Sequence, residues 1–252
     1  MVVTRLIARM DIKAPNLVKG VHLEGLRKIG DPHARAVKYA NEGADEIIYM
    51  DIVASLYGRS QIIELLERTT DDVFIPVTVG GGVRSLEDAR ALFNAGADKV
   101  SINTGAIRWP GLISEISDSI GCQGVVVSIE AKLQQDGRYE CYTENGRERS
   151  GLEAVSWAKT ACDRGAGEIL VTSIDREGTR TGFDTDLIRR ISGAVSVPVV
   201  ASGGMGAVQH FSEVAVSGAD GIAIADALHY DRLSIPEIKQ AAAKAGLTMR
   251  LQ

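Results

Sequence analysis

Short apolar runs rich in β-branched residues alternate with amphipathic stretches along the whole chain. The run at 77–79 leads into three glycines, and Ser85 and Asp88 follow in the positions of a helix capping box. A strand, a glycine turn and a helix start are therefore predicted here. Such a turn can hold a phosphate, because glycines let the backbone approach a ligand and a helix start carries partial positive charge. On its own, a glycine turn of this kind is more typical of an ordinary connection between a strand and a helix.

The pattern repeats at one fixed separation. The offset that takes Gly82 to Gly204 also takes Glu46 to Glu168, and it relates the two Gly-Ala-Asp segments at 96–98 and 218–220. Three matches in one register indicate two similar halves, about residues 1–122 and 123–252.

Eight strand–helix units are predicted, without a linker or a domain boundary. The predicted strands cover residues 6–10, 46–51, 74–79, 99–102, 124–129, 168–173, 197–202 and 221–225. The predicted helices cover residues 32–42, 61–68, 86–95, 109–120, 152–164, 184–191, 208–216 and 236–245. The main insertion is a hairpin of 138–143 with 148–150, since Asn145 and Gly146 form a strong turn signal. Eight units with repeated halves favour one (β/α)8 barrel with a two-fold half-barrel repeat over an open sheet.

Composition narrows the class of protein. The 252 residues carry a net charge of −5, which does not suggest a nucleic-acid binder. Three cysteines without a Cys-x-x-Cys pair predict neither disulfides nor a zinc site, and His22 and His229 lack a metal-ligand spacing. We expect no signal peptide, no membrane span, no metal and no cofactor, and a reducing cytoplasm as the compartment.

Two carboxylates lie directly after equivalent predicted strands, one in each half of the chain. Asp11 follows the first strand and Glu130 the fifth, so in a barrel both lie at the carboxyl-terminal face, where the chemistry of such folds takes place. We expect them to face each other and to work as a general acid–base pair. The structural alternative is that they cap loops or pair with Lys13 and Lys132.

Glycine turns at the same face predict two phosphate sites. Gly82 with Asn103 and Thr104 would form one, and Gly178 and Gly204 with the segment at Asp226 would form the other. Two opposed sites imply an elongated substrate with a phosphate at each end. Asp226 would repel a phosphate unless only its backbone N–H faces the site.

Several segments carry a specific resemblance: Val-Thr-Val-Gly-Gly-Gly-Val-Arg at 77–84, the stretch 95–104, the stretch 165–170, Leu-Val-Lys-Gly at 17–20 and Gly-Asp-Pro at 30–32. Over essentially its whole length the chain resembles the cyclase subunit of imidazole glycerol phosphate synthase. The resemblance implies a barrel that receives ammonia from a glutaminase in a 1:1 complex. That ammonia would be joined to a bisphosphorylated ribulosyl aminoimidazole carboxamide intermediate of histidine synthesis, which gives imidazole glycerol phosphate and aminoimidazole carboxamide ribotide.

The resemblance also implies roles for single residues. Asp11 matches the family's acid–base aspartate, Lys19 matches a lysine on a mobile loop, and Asp98 matches a residue of the glutaminase interface. A charged ring that admits ammonia would consist of Arg5, Glu46, Lys99 and Glu168, and a structural salt-bridge network is a compatible interpretation. The expected substrate-binding positions are Lys19, Gly81, Gly82, Ser101, Asn103, Thr104, Thr172, Glu177, Gly178, Gly203, Gly204 and Asp226.

Three positions depart from the family pattern. Glu130 and Glu177 stand where aspartates are usual, and Asp226 stands where a small serine is usual. A methylene moves a carboxylate by about 1 Å, which is enough to matter in an active site. Three alternatives therefore stay open: a paralogue that amidates a sugar of a surface polysaccharide, a related sugar isomerase, and a barrel that only activates a glutaminase.

Overall fold

Parallel strands close into a barrel in the computed structural model, which describes residues 3–52 and 60–251. The strands are β1 (Arg5–Lys13), β2 (Asn16–Val21), β3 (Glu24–Gly30), β4 (Glu46–Asp51), β5 (Val77–Gly80), β6 (Lys99–Ile102), β7 (Val125–Leu133), β8 (Tyr139–Thr143), β9 (Glu148–Glu153), β10 (Glu168–Ser173), β11 (Val199–Ser202) and β12 (Gly221–Ile224). Within the described ranges, eight of them form the barrel in the order β1, β4, β5, β6, β7, β10, β11, β12, and β12 pairs with β1. The predicted (β/α)8 fold is confirmed.

Helices follow the barrel strands and cover their outer faces. They are α1 (Pro32–Asn41), α2 (Ser60–Asp72), α3 (Leu86–Asn94), α4 (Thr104–Arg108), α5 (Gly111–Ile120), α6 (Ala154–Asp163), α7 (Thr185–Ser192), α8 (Val208–Ala215), α9 (Asp226–His229) and α10 (Ile235–Lys244). The predicted caps form: the side chains of Asp31, Ser85 and Ser234 each accept a backbone hydrogen bond at a helix start. Among the described residues, no helix is both long enough and apolar enough to cross a bilayer.

The half-barrel repeat is visible in hydrogen bonds. The carboxylate of Asp98 accepts a hydrogen bond from the backbone N–H of Val77 at 2.8 Å, and that of Asp220 accepts one from Val199 at 2.9 Å. The sequence offset found above relates both donors and both acceptors. Each aspartate thus fixes the beginning of a neighbouring strand in its own half. The exact boundary between the halves stays a prediction.

Two antiparallel ribbons extend from the barrel at its carboxyl-terminal mouth. The second ribbon, β7–β8–β9, contains the predicted hairpin, and Asn145 and Gly146 take positive φ angles of 60° and 78° at its turn. The first ribbon, β1–β2–β3, is absent from the elements predicted above, because its residues lack strict alternation of apolar and polar positions. Its connection at His22 packs against the segment after β10, where the backbone N–H of His22 donates to the carbonyl of Glu177 at 2.9 Å.

A few predicted boundaries shift for local reasons. The helix predicted at 152–164 begins at Ala154, since Glu153 belongs to β9 and caps the helix with its side chain. The helix predicted at 109–120 begins at Gly111, after Pro110, and a separate short helix precedes it. The strand predicted at 74–79 begins at 77, because Phe74 lies 89% exposed at the edge of the barrel.

The interior of the barrel is layered along its axis. Alternate residues of β1 point inward, so Arg5, Ile7, Arg9 and Asp11 occupy successive levels from the amino-terminal end to the mouth. The second level is apolar, and its cluster comprises Ile7, Ile48, Met50, Val126, Leu170, Val200 and Ala223. Charged residues therefore lie below and above this apolar cluster.

Candidate active site

Asp11 is buried at the mouth of the barrel between two cations. Its carboxylate accepts a hydrogen bond from Nε of Arg9 at 3.2 Å, and Nζ of Lys19 lies 3.9 Å from it. Burial alone would raise the pKa of Asp11, but Arg9 and Lys19 outweigh it and hold that pKa below its ordinary value. The partner suggested by the structural alternative, Lys13, is instead exposed. Asp11 is therefore ionised at neutral pH.

Glu130 lies in the same buried cluster, and its pKa shifts in the opposite direction. Burial raises its pKa to about 7, although Arg9 and a hydrogen bond from the backbone N–H of Gly146 oppose the shift. Its Oε2 is buried and has no hydrogen-bond partner among the described residues. A carboxyl group in this state can carry a proton near neutral pH. Two carboxyl groups whose pKa values are pushed apart are the usual arrangement for a base and an acid that work together.

Lys19 is a buried residue of the first ribbon. It lies on β2, is 2% exposed, and donates a hydrogen bond to Glu177, which is also buried. Residue 19 lies in a strand of the first ribbon, within the connection between β1 and α1, and the mobility of this connection stays a prediction. Burial lowers the pKa of Lys19, but Glu177 and Asp11 outweigh it and raise the pKa above the ordinary value, so the ammonium is retained.

The predicted second phosphate site forms a small pocket. It is lined by Glu177, Gly178, Ser202, Gly203, Gly204, Met205, Ala223, Ala225 and Asp226. Gly203 and Gly204 have φ angles of 92° and 117°, and a side chain at Gly204 would lie 2.2 Å from the carbonyl oxygen of Gly182. Only glycine fits there, and it exposes the backbone to the pocket.

Asp226 does not face this pocket as an uncompensated charge. One of its carboxylate oxygens accepts a hydrogen bond from Nε of Arg232 at 3.2 Å and lies 3.9 Å from Nε of Arg180. Both arginines are partly exposed at the rim. The repulsion expected between Asp226 and a phosphate is therefore offset locally.

The predicted first phosphate site is connected to the second ribbon. The side-chain amide of Asn103 donates to the carbonyl of Tyr142 at 3.2 Å, and Oγ1 of Thr104 accepts from the backbone N–H of Glu144 at 3.1 Å. Gly81 and Gly82 precede them with φ angles of 106° and 66°. The ribbon thus closes over this side of the mouth.

Among the described residues, several buried polar atoms on β6, at its end and on β7 lack partners. In the part of the chain that the structure describes, Oγ of Ser101 and Oδ1 of Asn103 are buried without a hydrogen-bond partner, as is Oε2 of Glu130. They come from β6, its end, and the adjacent strand β7. Buried polar groups normally find partners, so these atoms are available to a polar ligand.

The charged ring exists at the opposite, amino-terminal end. Arg5 bridges Glu46 at 2.6 Å and Glu168 at 2.5 Å, and Lys99 bridges the other oxygens of the same carboxylates at 3.1 and 2.9 Å. Charges alternate around the ring, so it closes the barrel below the apolar layer. Asp98 lies beside it, exposed, with one oxygen bound to the start of β5.

Sequence reasoning missed Arg9. Its guanidinium is buried inside the barrel and donates from Nη1 to Oγ1 of Thr172 at 2.7 Å and to Oγ of Ser202 at 3.1 Å. Thr172, expected to contact substrate, is thus also a partner of Arg9. The available signal was a cation in the middle of the otherwise apolar stretch 6–10.

His229 is a buried neutral side chain. Its Nδ1 lies 2.8 Å from the hydroxyl of Tyr39, the two rings stack, and burial lowers its pKa to about 4. Among the described residues, no three His, Cys, Asp or Glu side chains are grouped as metal ligands would be.

Comparisons with known proteins agree on one family. A family model described as histidine biosynthesis protein matches residues 5–234. Three relatives are each named imidazole glycerol phosphate synthase subunit HisF. That of Legionella pneumophila is 58% identical over 82% of this chain and 98% of its own length. That of Pyrobaculum aerophilum is 50% identical over 99% of both chains, and that of Alkaliphilus metalliredigens is 44% identical over 99% of this chain and 100% of its own.

Proposed function

Because the chain belongs to the family of imidazole glycerol phosphate synthase cyclase subunits, enzymes of histidine biosynthesis, we propose that Asp11 and Glu130 are its acid–base pair. Asp11 accepts a proton, since two cations keep it ionised. Glu130 donates one, since burial keeps its carboxyl group protonated up to about pH 7. The opposed pKa shifts of these two carboxyl groups are the observation that carries the proposal.

The substrate in this proposal is the bisphosphorylated ribulosyl aminoimidazole carboxamide intermediate. One phosphate binds at Gly82, Asn103 and Thr104, and the other at the pocket of Gly203 and Gly204. In this proposal, the buried polar atoms of Asn103 and Glu130 that lack partners among the described residues contact the central part of the molecule. Glycine backbones supply N–H groups to phosphates, as at many phosphate sites.

The three departures from the family pattern are accommodated by their neighbours. Glu177 reaches the buried ammonium of Lys19, and Asp226 is held between Arg180 and Arg232. Burial raises the pKa of Glu130 to about 7, so its longer side chain carries a carboxyl group that can keep a proton. These contacts, together with relatives that share 44–58% of their residues with this chain, favour the cyclase over a sugar-amidating paralogue, an isomerase or a purely activating barrel.

Ammonia would come from a glutaminase docked in a 1:1 complex at the amino-terminal end. The ring of Arg5, Glu46, Lys99 and Glu168 closes the barrel there, with Asp98 exposed beside it. In this proposal, the ring opens to admit ammonia and Asp98 contacts the partner. We also propose a cytoplasmic location, as expected for a pathway that uses soluble phosphorylated intermediates.

The deciding experiment supplies the purified protein with the bisphosphorylated intermediate and saturating ammonium, without a partner. Formation of both imidazole glycerol phosphate and aminoimidazole carboxamide ribotide is expected. Complementation of a strain that lacks its own cyclase is the matching test in cells. If neither product forms although the chain is folded, the proposal is overturned and the sugar-amidating alternative leads.

A further inference from the structure

Arg9 reaches across the interior of the barrel. It starts on β1, yet its guanidinium contacts Thr172 on β10 and Ser202 on β11, and β10 lies three strands away around the barrel. A side chain that joins such distant strands must pass close to the axis. The guanidinium therefore lies above the apolar layer and directly below Asp11.

The hydrogen bonds of Arg9 fix its orientation. Nη1 is held by two hydroxyl groups, which leaves Nε directed toward Oδ1 of Asp11 at 3.2 Å. Hydroxyl groups that accept these bonds carry no charge, so they orient the cation without neutralising it. Its positive charge is left to act on the carboxylates at the mouth.

The charges around Arg9 do not balance if every carboxyl group is ionised. Arg9 and Lys19 supply two buried positive charges, whereas Asp11, Glu130 and Glu177 could supply three negative ones. Unpaired buried charge is costly, so one of the three groups keeps a proton. Glu130 is the one without a salt bridge to either cation, and its carboxyl group is the one shifted toward neutrality.

We propose that Arg9 is a positioning residue at the mouth of the barrel. Its guanidinium, held by Thr172 and Ser202, keeps Asp11 ionised, so that Glu130 is the carboxyl group that carries the proton. The role as acid and base rests on the function proposed above, but the ionisation states do not. The other titratable groups that face this cluster are Lys19 from β2, Glu177 from the segment after β10, and His229 from α9.

The test replaces Arg9 in two ways. Arg9→Gln keeps hydrogen-bonding capacity for Thr172 and Ser202 but removes the charge, whereas Arg9→Lys keeps the charge but loses the planar fork. Carboxyl 13C shifts of the substrate-free full chain are followed against pH, and Asp11→Asn and Glu130→Gln variants assign the two signals. Arg9→Gln is expected to raise the titration midpoint of Asp11 by at least about one pH unit, since a cation this close lowers a carboxyl pKa by about that much or more. Arg9→Lys is expected to leave it near the wild-type midpoint.

Activity gives a second readout. With saturating ammonium, the acidic limb of the kcat profile should move to higher pH in Arg9→Gln and stay in place in Arg9→Lys. A role in packing alone would lower activity in both variants without moving either profile. Arg189→Gln, which removes an exposed arginine of α7, is the control for loss of a guanidinium away from the site.

Several results would overturn the proposal. A folded Arg9→Gln variant with unchanged midpoints would show that the charge is not what holds Asp11 ionised. If Arg9→Gln does not fold, Arg9→Lys decides alone. A titration midpoint of Asp11 that moves in Arg9→Lys, although the charge remains, contradicts the proposal, and an unchanged midpoint supports it. The titrations need no substrate, so a wild-type chain without cyclase activity would refute the proposed function and leave this inference standing.

Discussion

Lys19 and Glu177 form an ion pair in which both side chains are almost completely buried, at 2% and 4% exposure. They join the first ribbon to the segment that follows β10, so the pair closes one side of the mouth. Removal of one partner leaves a buried charge without compensation, which typically costs about 3–5 kcal/mol.

We therefore expect Lys19→Met to lower the free energy of unfolding by about that amount. The double variant Lys19→Met/Glu177→Gln should recover most of the loss, because no lone charge remains. Urea unfolding of the four proteins in the cycle measures the coupling. Additive losses in the double variant would mean that the two side chains act independently.

Asp11→Asn should abolish ammonium-dependent turnover and leave the fold intact. An amide cannot accept the proton, and the loss of a general base typically costs ~100-fold or more. Steady-state kinetics with circular dichroism tests this. Asp186→Asn, which changes a partly exposed aspartate of α7 away from the site, serves as the matched control. More than about a tenth of wild-type activity in Asp11→Asn would exclude Asp11 from the acid–base role.

Glu130 should make the protein less stable as the pH rises. Its pKa is about 7 in the folded chain against an ordinary value of 4.5, so the unfolded chain loses this proton first. Stability then falls as the pH rises through the window between 4.5 and about 7, by about 3 kcal/mol at 1.36 kcal/mol per pKa unit. Unfolding of wild type and Glu130→Gln at pH 4.5 and 8 isolates this contribution. If the difference between the two proteins does not change with pH, the raised pKa is refuted.

Lys99→Ala should separate the two sources of ammonia. The ring lies at the end of the barrel opposite the acid–base pair, so its loss should spare turnover with free ammonium and reduce turnover with glutamine and a glutaminase partner. Both rates are measured at saturating substrate. Lys244→Ala on α10 is the control for loss of an exposed lysine. Equal losses in both assays would assign the ring a structural role only.

The barrel was predictable because its signals are local. Glycine turns and caps such as Ser85 and Ser234 lie within a few residues of the element that they define, and the repeat that relates Asp98 to Asp220 can be seen in the sequence itself. The position of Asp11 and Glu130 at the mouth followed from the same reasoning, because both follow the apolar runs of their barrel strands, although β1 and β7 continue past them into the ribbons.

The surroundings of these carboxylates were not predictable in that way. Lys19 is buried because a ribbon folds over the mouth and meets Glu177, which is far away in sequence. Arg9 acquires its role from strands on the far side of the barrel. Long-range contacts of this kind set the pKa of a carboxyl group, and neither propensity nor spacing encodes them.

The apolar layer limits proton transfer along the axis of the barrel. Ile7, Val126, Leu170 and Val200, with the rest of that cluster, separate the charged ring from Arg9, and no described member of the cluster can carry a proton. A neutral molecule such as ammonia can cross this partition, but ammonium and hydronium cannot without a large desolvation cost. In the proposed function, a proton removed from ammonium at the amino-terminal end of the barrel would therefore be left behind there. If Glu130 donates a proton as proposed, that proton would be replenished from solvent at the mouth, so the acid–base equilibria at the two ends of the barrel would stay independent even when nitrogen passes between them.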